Sequence, residues 1–421
     1  MDLFDKFSPI IDAHANLPAD AEDPFNVSMD KILSPTEAII KGRHTILAGT
    51  NNYLGLTFDE RPLKAAHAAL DAGGTGTTGS RVLNGTYAGH KALEQDLADF
   101  YGQQHAIVFS TGYQANLGVI STLAGPKNFI LIDSDCHASI YDGCRLGGAT
   151  IIRFRHNDAA DLDKRLRRLG EQGSNILIVV EGIYSMLGDI APLREIAAVK
   201  RKYGAYLMVD EAHSLGVMGK TGRGVAQEQG VEADVDFIVG TFSKSVGTVG
   251  GFCVSSHPKF EVLRLVMRPY MFTASLPPSV VASARASLAI ITASNLREKL
   301  WANARALHQG MERLGFSLGA SCSPVVAIKI AAIDDAVRFW SELLRAGVYV
   351  NLAVPPATPG RDSLLRCSLC AAHSPEQIEK ILGVFQSVGR RLDLISETPR
   401  DDADAKTAVS RSTPDAAAAT G

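Results

Sequence analysis

Apolar runs and amphipathic stretches alternate along most of this chain. HAIVFS from residue 105, NFILID from 128, NILIVVE from 175, AYLMVD from 205 and DFIVGT from 236 are nearly unbroken apolar segments. Runs of this length without polar alternation predict strands covered on both faces. Between them, ALEQDLADFYG, ADLDKRLRRLG and PLREIAAVKRKYG repeat apolar residues at helical spacing and predict helices with one buried stripe. Strand and helix in turn imply a mostly parallel sheet with helices on both faces, whose ligands gather beyond the carboxyl ends of the strands. From about residue 290 the texture changes, and a long helical pattern, NLREKLWANARALHQGMERLG, leads into the shorter strands VVAIKIAAI, VYVNLAV and LLRCSL. The pattern divides an α/β chain into an N-terminal segment (1–60), a large domain (61–290) and a smaller α+β C-terminal domain (291–396). Residues 397–421 are polar, aperiodic and rich in Ala, and are expected to form a disordered tail.

Composition removes several function classes. With 46% hydrophobic residues in 421, the chain can bury a core of two-domain size. A net charge of -3 with both signs interspersed leaves no basic stripe for nucleic acid. No apolar run approaches the roughly 18 residues that span a bilayer. The first residues carry acids where an export signal needs positive charge, so a cytoplasmic protein is expected. Of the 6 cysteines, only Cys367 and Cys370 are close in sequence. They lie in the strand-like LLRCSLC, where residues three apart face opposite sides, and read as core thiols rather than metal ligands.

Three predicted strand ends carry unusual residues. AYLMVDEAH ends its strand on Asp210 and sets His213 three residues on, and DSDCHASIYDG sets His137 just past FILID. Taken singly, an Asp there caps a helix and a His there starts one. GTFSKSVGTVGGF places Thr241, Ser243 and Lys244 directly after a buried strand, and a lysine is rarely buried unless paired or chemically used. A P-loop requires G-x-x-x-x-G-K-S/T, and Ser243 stands where the glycine before the lysine must be. GTVGGF also lacks the spacing of a dinucleotide fingerprint. Pyridoxal phosphate does fit: its aldehyde needs an amine, its pyridine nitrogen a carboxylate, and its phosphate hydroxyl and N–H donors. Lys244, Asp210 and the Thr241/Ser243 pair supply that set, and His137 can lie over the ring. On these residues alone, scattered structural roles remain the alternative.

Longer motifs carry a resemblance. VDEAHSLGVMGKTGRGV, GTFSKSVGTVGGF, TGTTGSRVLNGTYAGHKALE, STGYQANLG, DCHASIYDG and EGIYSMLGDIAPL resemble the α-oxoamine synthases, pyridoxal-phosphate enzymes of the aspartate-aminotransferase fold, over about residues 45 to 390. YSMLGDIAPL, FTASLPPSVVA and PPATP resemble the soluble bacterial serine palmitoyltransferase branch. The resemblance implies fold type I, with Lys244 bonded to the cofactor and moving protons at the substrate Cα. It implies Asp210 on the pyridine nitrogen, His213 on the ring hydroxyl oxygen and His137 stacked on the ring. Gly112 and Tyr113 would offer backbone N–H groups to the phosphate at a helix N-terminus. Thr241 and Ser243 would hold the same phosphate, and Thr273 and Ala274 would reach it from a neighbouring subunit, making a homodimer with shared sites. Asn52 and Tyr53, in TNNYLGL, are expected to touch substrate. GGTGTTGSRVLNGTYAGH, with 6 glycines, is either slack surface loop or a functional segment at the substrate entrance.

The implied reaction joins L-serine to a long-chain acyl-CoA with loss of carbon dioxide, the entry step of sphingolipid biosynthesis. Val354 departs from the pattern, because the family commonly has an arginine before the two prolines of PPATP. Carboxylate binding then falls to His137, Asn52 or Arg366, and Arg366 suits it best because a guanidinium fork matches a carboxylate. The alternatives are an amino-oxononanoate synthase, a glycine C-acyltransferase, an aminotransferase-like enzyme, or a silent partner subunit, the last disfavoured by the presence of Lys244. The acyl donor's hydrocarbon chain allows peripheral membrane contact, although no basic amphipathic helix announces it.

Overall fold

The computed structural model describes residues 2–170 and 173–396, so the expected tail from residue 397 lies outside the described residues. In chain order the strands are β1 (Lys31–Ser34), β2 (Glu37–Ile40), β3 (Arg43–Leu47), β4 (His105–Phe109), β5 (Phe129–Asp133), β6 (Thr150–Phe154) and β7 (Ile176–Glu181). They continue with β8 (Tyr206–Asp210), β9 (Phe237–Thr241), β10 (Gly251–Ser255), β11 (Val325–Ile330), β12 (Val348–Tyr349), β13 (Asn351–Ala353) and β14 (Ser363–Ser368). The unbroken apolar runs form a seven-stranded sheet in the order β4-β10-β9-β8-β7-β5-β6. Every residue of central β7 is buried, as a strand covered on both faces requires.

β5 to β9 pair in parallel, as the alternation predicts. β10 runs antiparallel between β4 and β9. The connection from Thr241 to Gly251 is too short for a parallel crossover, which takes about a dozen residues or more, so the chain folds straight back. The carboxyl ends of β4, β5, β7, β8 and β9 and the amino end of β10 therefore share one edge of the sheet.

A second, antiparallel sheet, β11-β14-β13, carries the C-terminal part. The helices Leu296–Leu314, Ile333–Arg345 and Pro375–Arg391 belong to it, with Phe339 and Phe385 meeting edge to face at 5.4 Å. The N-terminal strands β1, β2 and β3 form an antiparallel ribbon, and β3 pairs in parallel with β12, Ile46 opposite Val348. The N-terminal segment is thereby joined to the C-terminal part. The Ala48 carbonyl also accepts from Ser368 N–H at 2.7 Å, and the Tyr53 carbonyl from Ala371 N–H at 2.7 Å. These bonds lead Asn51 and Tyr53 along β14 toward the edge of the large sheet.

The glycine-rich stretch is anchored at several points. Arg81 is buried, donates to Val108 O at 3.2 Å and Thr86 Oγ1 at 3.0 Å, and lies 2.9 Å from Glu94 Oε1. Ser275 Oγ donates to Gly85 O at 2.6 Å and meets Thr77 Oγ1 at 2.6 Å. Cys367 and Cys370 are buried free thiols, both pushed up to about 12 by burial. Among the described residues no single helix is long and apolar enough to cross a membrane.

Candidate active site

A cavity of about 300 Å³ opens at the shared strand edge, lined by Gly112, Tyr113, His137, Asp210, His213, Thr241, Ser243 and Lys244 among others. They arrive from four strand ends, those of β4, β5, β8 and β9. Gly112 opens the helix Gly112–Leu123 after β4, with Thr111 Oγ1 capping it by accepting from Gln114 N–H at 3.1 Å. A Cβ on Gly112 would stand 2.8 Å from Thr241 Cβ, so only glycine lets this helix N-terminus approach β9. Thr241 Oγ1 lies 2.9 Å from Ser243 Oγ, and the Gly250 carbonyl accepts from Thr241 Oγ1 at 2.9 Å. One end of the cavity thus gathers helix N–H groups and two hydroxyls, the donor set of an anion site.

The opposite end is acidic. Asp210 closes β8 with Oδ1 accepting from Ala212 N–H at 2.9 Å and Oδ2 accepting from Asn116 Nδ2 at 2.7 Å. Asn116 also donates to Ser139 Oγ at 3.0 Å, and Ser139 Oγ lies 2.8 Å from His137 Nδ1. His137 caps its own helix, Ala138–Gly147, by accepting from Ser139 N–H at 3.2 Å. The capping role and the wall of the cavity are therefore one and the same placement. Burial, then the Lys244 charge, outweigh the pull of nearby carboxylates and lower the His137 pKa, so the ring is neutral. Glu181, at the end of β7 and opposite Asp210 in register, accepts from His137 N–H. Burial first, then the Asp210 charge, raise its pKa well above the carboxylate range.

Lys244 sits in the loop returning from β9 to β10. Burial depresses its amine to about 8, Asp210 and Glu181 pull it back up, and the Arg366 guanidinium pushes it down. The depression raises the share of unprotonated amine, the form that attacks an aldehyde. His213 is buried, with Nδ1 2.7 Å from the Tyr53 hydroxyl. Burial, followed by the Lys244 and Arg366 charges, holds it well below its ordinary pKa, so it is neutral. Arg366 donates to the same hydroxyl at 3.4 Å, and that hydroxyl lies 3.5 Å from Asn51 Oδ1, so Tyr53 ties His213, Arg366 and Asn51 together.

Several expected contacts fall elsewhere. Tyr53 is 0% exposed and lies behind the cavity against His213. Asn52 does not line the cavity; its amide donates to Thr57 Oγ1 at 2.7 Å, and it is Asn51 whose Oδ1 accepts from both terminal nitrogens of Arg366, at 3.2 and 3.1 Å. Thr273 and Ala274 do not line the cavity of their own chain. Thr273 Oγ1 accepts from Gln114 Nε2 at 3.1 Å, and the Ala274 carbonyl accepts from Ser110 Oγ. Asn116, Ser139 and Glu181 escaped the sequence reading. Asn116 alone carried a usable signal, since it lies one helical turn beyond Gly112 and shares its face.

An amine at a sheet edge, a fixed carboxylate behind it, neutral imidazoles beside it and a helix N-terminus with hydroxyls opposite define a pyridoxal-phosphate enzyme of fold type I. Comparison with known proteins agrees. The model of the family "Aminotransferase class I and II" matches residues 43–385, and the chain belongs to that family. It is 56% identical over 401 residues to the serine palmitoyltransferase of Caulobacter vibrioides, covering 95% of this chain and 99% of that one. The solved structure of the Sphingomonas wittichii serine palmitoyltransferase superposes with a TM-score of 0.92 at 60% identity, covering 94% of this chain and 100% of that one. A serine palmitoyltransferase solved with pyridoxal phosphate also gives 0.92, at 55% identity, over 94% of this chain and 100% of that one.

Proposed function

We propose that this protein is a serine palmitoyltransferase, condensing L-serine with palmitoyl-CoA to 3-ketodihydrosphingosine, coenzyme A and carbon dioxide. The observation that carries the reading is Arg366. It stands behind the lining of the cavity, 6% exposed, and its hydrogen bonds run to the Ser185 carbonyl, Asn51 Oδ1 and the Tyr53 hydroxyl, none of them charged. A buried guanidinium without a carboxylate among the described residues is a costly arrangement unless a ligand supplies the anion. An amino-acid carboxylate is that anion, and Val354 leaves Arg366 to provide the ion pair.

The residues of the cavity fit pyridoxal phosphate. The Gly112 and Tyr113 N–H groups with Thr241 and Ser243 would hold its phosphate, Asp210 its pyridine nitrogen, His213 its ring oxygen, and His137 its face. When bound it supplies an electron sink for charge developing at the substrate Cα. Lys244, released as a free amine, takes the Cα proton and later returns one. Asp210, fixed by Asn116 and Ala212, would keep a proton on the pyridine nitrogen. Arg366 and neutral His137 hold the carboxylate until the serine Cα has bonded to the thioester carbon and CoA has left as thiolate. The carboxyl group then departs as carbon dioxide, and a proton takes its place.

The cytoplasm is the proposed location and a homodimer the proposed assembly, with Thr273 and Ala274 of one subunit completing the phosphate end of the other. L-Serine labelled with heavy carbon in its carboxyl group tests the reaction. Labelled carbon dioxide should be released only when palmitoyl-CoA is present; release without the acyl donor, or none with it, would overturn the assignment.

A further inference from the structure

His156 stands outside the cavity and has no part in the steps above. It follows β6 and reaches two ways, with Nδ1 2.8 Å from Asp133 Oδ1 at the end of β5 and Nε2 2.6 Å from Asp189 Oδ2. Asp133 also accepts from the N–H groups of Asp135 at 2.9 Å and Asn157 at 2.8 Å, and Asp189 accepts from Asn157 Nδ2 at 2.8 Å. The Tyr184 ring meets the imidazole edge-on, 4.5 Å between centroids. Burial opposes charge on His156, but the hydrogen bonds and charges of Asp133 and Asp189 outweigh it and raise its pKa to about 10. Only the doubly protonated ring donates to both carboxylates at once.

Asp189 closes a short loop after β7. Ile183 and Ile190 form an antiparallel bridge, Tyr184 N–H donates to the Asp189 carbonyl at 2.9 Å, and Gly188 N–H donates to the Tyr184 carbonyl at 3.0 Å. Gly188 has φ +81, and a Cβ there would come within 2.4 Å of the Val325 carbonyl, so the loop is pressed against β11 of the C-terminal part. Within the loop, the Ser185 carbonyl accepts from Arg366 Nε. A continuous path of hydrogen bonds and closed backbone therefore leads from Asp133 through His156, Asp189 and Ser185 to Arg366.

We propose that His156, clamped between Asp133 and Asp189, is a positioning residue that fixes the 183–190 loop and so aims Arg366 at the carboxylate of the amino-acid substrate. The inference rests on Arg366 being the carboxylate anchor. A guanidinium fork binds a carboxylate well only when both are in register, and a misplacement of about 1 Å can cost on the order of a hundredfold.

The test is titration of the pyridoxal-phosphate-loaded enzyme with L-serine in the absence of acyl donor, followed by the cofactor's absorbance. His156→Ala should raise the serine dissociation constant roughly tenfold or more. It should leave the absorbance of the loaded enzyme and the KM for palmitoyl-CoA unchanged. His156→Gln, which keeps hydrogen-bonding capacity, should recover part of the affinity even if the alanine variant folds poorly. In an Arg366→Ala background, His156→Ala should weaken serine no further, because the two act as one unit. Equal losses in both backgrounds, or parallel losses of cofactor and acyl-donor affinity, would reduce His156 to a structural role. A normal wild-type response with unchanged serine affinity in His156→Ala sinks this inference alone; no wild-type response to serine sinks the functional reading together with it.

Discussion

Two groups of buried charge in the large domain are built in opposite ways. In the first, Glu94 Oε1 lies 2.9 Å from both Arg81 and Arg264, and Arg264 also donates to the Ala106 carbonyl at 2.6 Å. Positive and negative groups answer one another, and together they fasten the glycine-rich stretch and edge strand β4. In the second, Lys244 lies near Asp210 and Glu181, which raise its pKa, yet it forms no ion pair among the described residues. Its carboxylate neighbours are fixed instead by neutral donors, Asp210 by Asn116 and Glu181 by the His137 amide. A group of charges that closes on itself holds elements together, whereas one left open has its missing partner in a ligand.

Substitutions can break that contrast. Lys244→Ala should lower turnover by about a thousandfold or more, since it removes both the proposed cofactor bond and the proposed proton carrier. Thermal unfolding of the apoprotein should not be impaired, because an incompletely paired, half-buried amine is removed. Glu94→Gln should do the reverse. It leaves Arg81 without a carboxylate, while Arg264 keeps Glu261 at 2.7 Å, and should cost about 3 kcal/mol in denaturant unfolding, while turnover per folded molecule holds. Were Glu94→Gln to abolish turnover in folded protein, the closed group would have to be counted as part of the site.

Smaller changes sharpen the picture within the cavity. His137→Phe should retain bound cofactor and reduce condensation by roughly a hundredfold, read by CoA release against cofactor absorbance. Gly112→Ala, whose new Cβ would stand 2.8 Å from Thr241 Cβ, should weaken cofactor binding by about tenfold in an equilibrium titration. The smallest effect is on pH. Because Lys244 is held at about 8 rather than 10.5, the folded apoprotein binds fewer protons than the unfolded chain between those values. This group's contribution to stability therefore rises with pH across that window, and Lys244→Met should flatten the rise in a pH series of unfolding measurements.

The central strands were legible because a strand covered on both faces must be apolar throughout, as β7 is. β6 was not, since this edge strand exposes Thr150 and Arg153, half-buries Ile151 and Ile152 and buries only Phe154, and so carries no such run. Lys244, Asp210, His137 and His213 could be singled out by chemistry at a strand end. Ser139 and Glu181 could not, because what gives them a role is convergence of separate loops on one cavity, and Asn116 carried only its place one helical turn beyond Gly112. Tyr53 marks the limit in the other direction: its motif pointed to the substrate entrance, and only its full burial beside His213 identifies it as support. Asn51 and Asn52 differ by one residue, and the register along β14 decides which of them meets Arg366.

The central claim is that this cavity joins serine to a long acyl chain, and competition measures it most directly. The purified protein, loaded with pyridoxal phosphate, would meet serine, alanine and glycine together with palmitoyl-CoA and pimeloyl-CoA, and the products would be weighed by mass spectrometry. The account predicts that 3-ketodihydrosphingosine dominates. A dominant alanine or glycine adduct, or a pimeloyl product, would contradict it and show that Val354 marks a change of substrate.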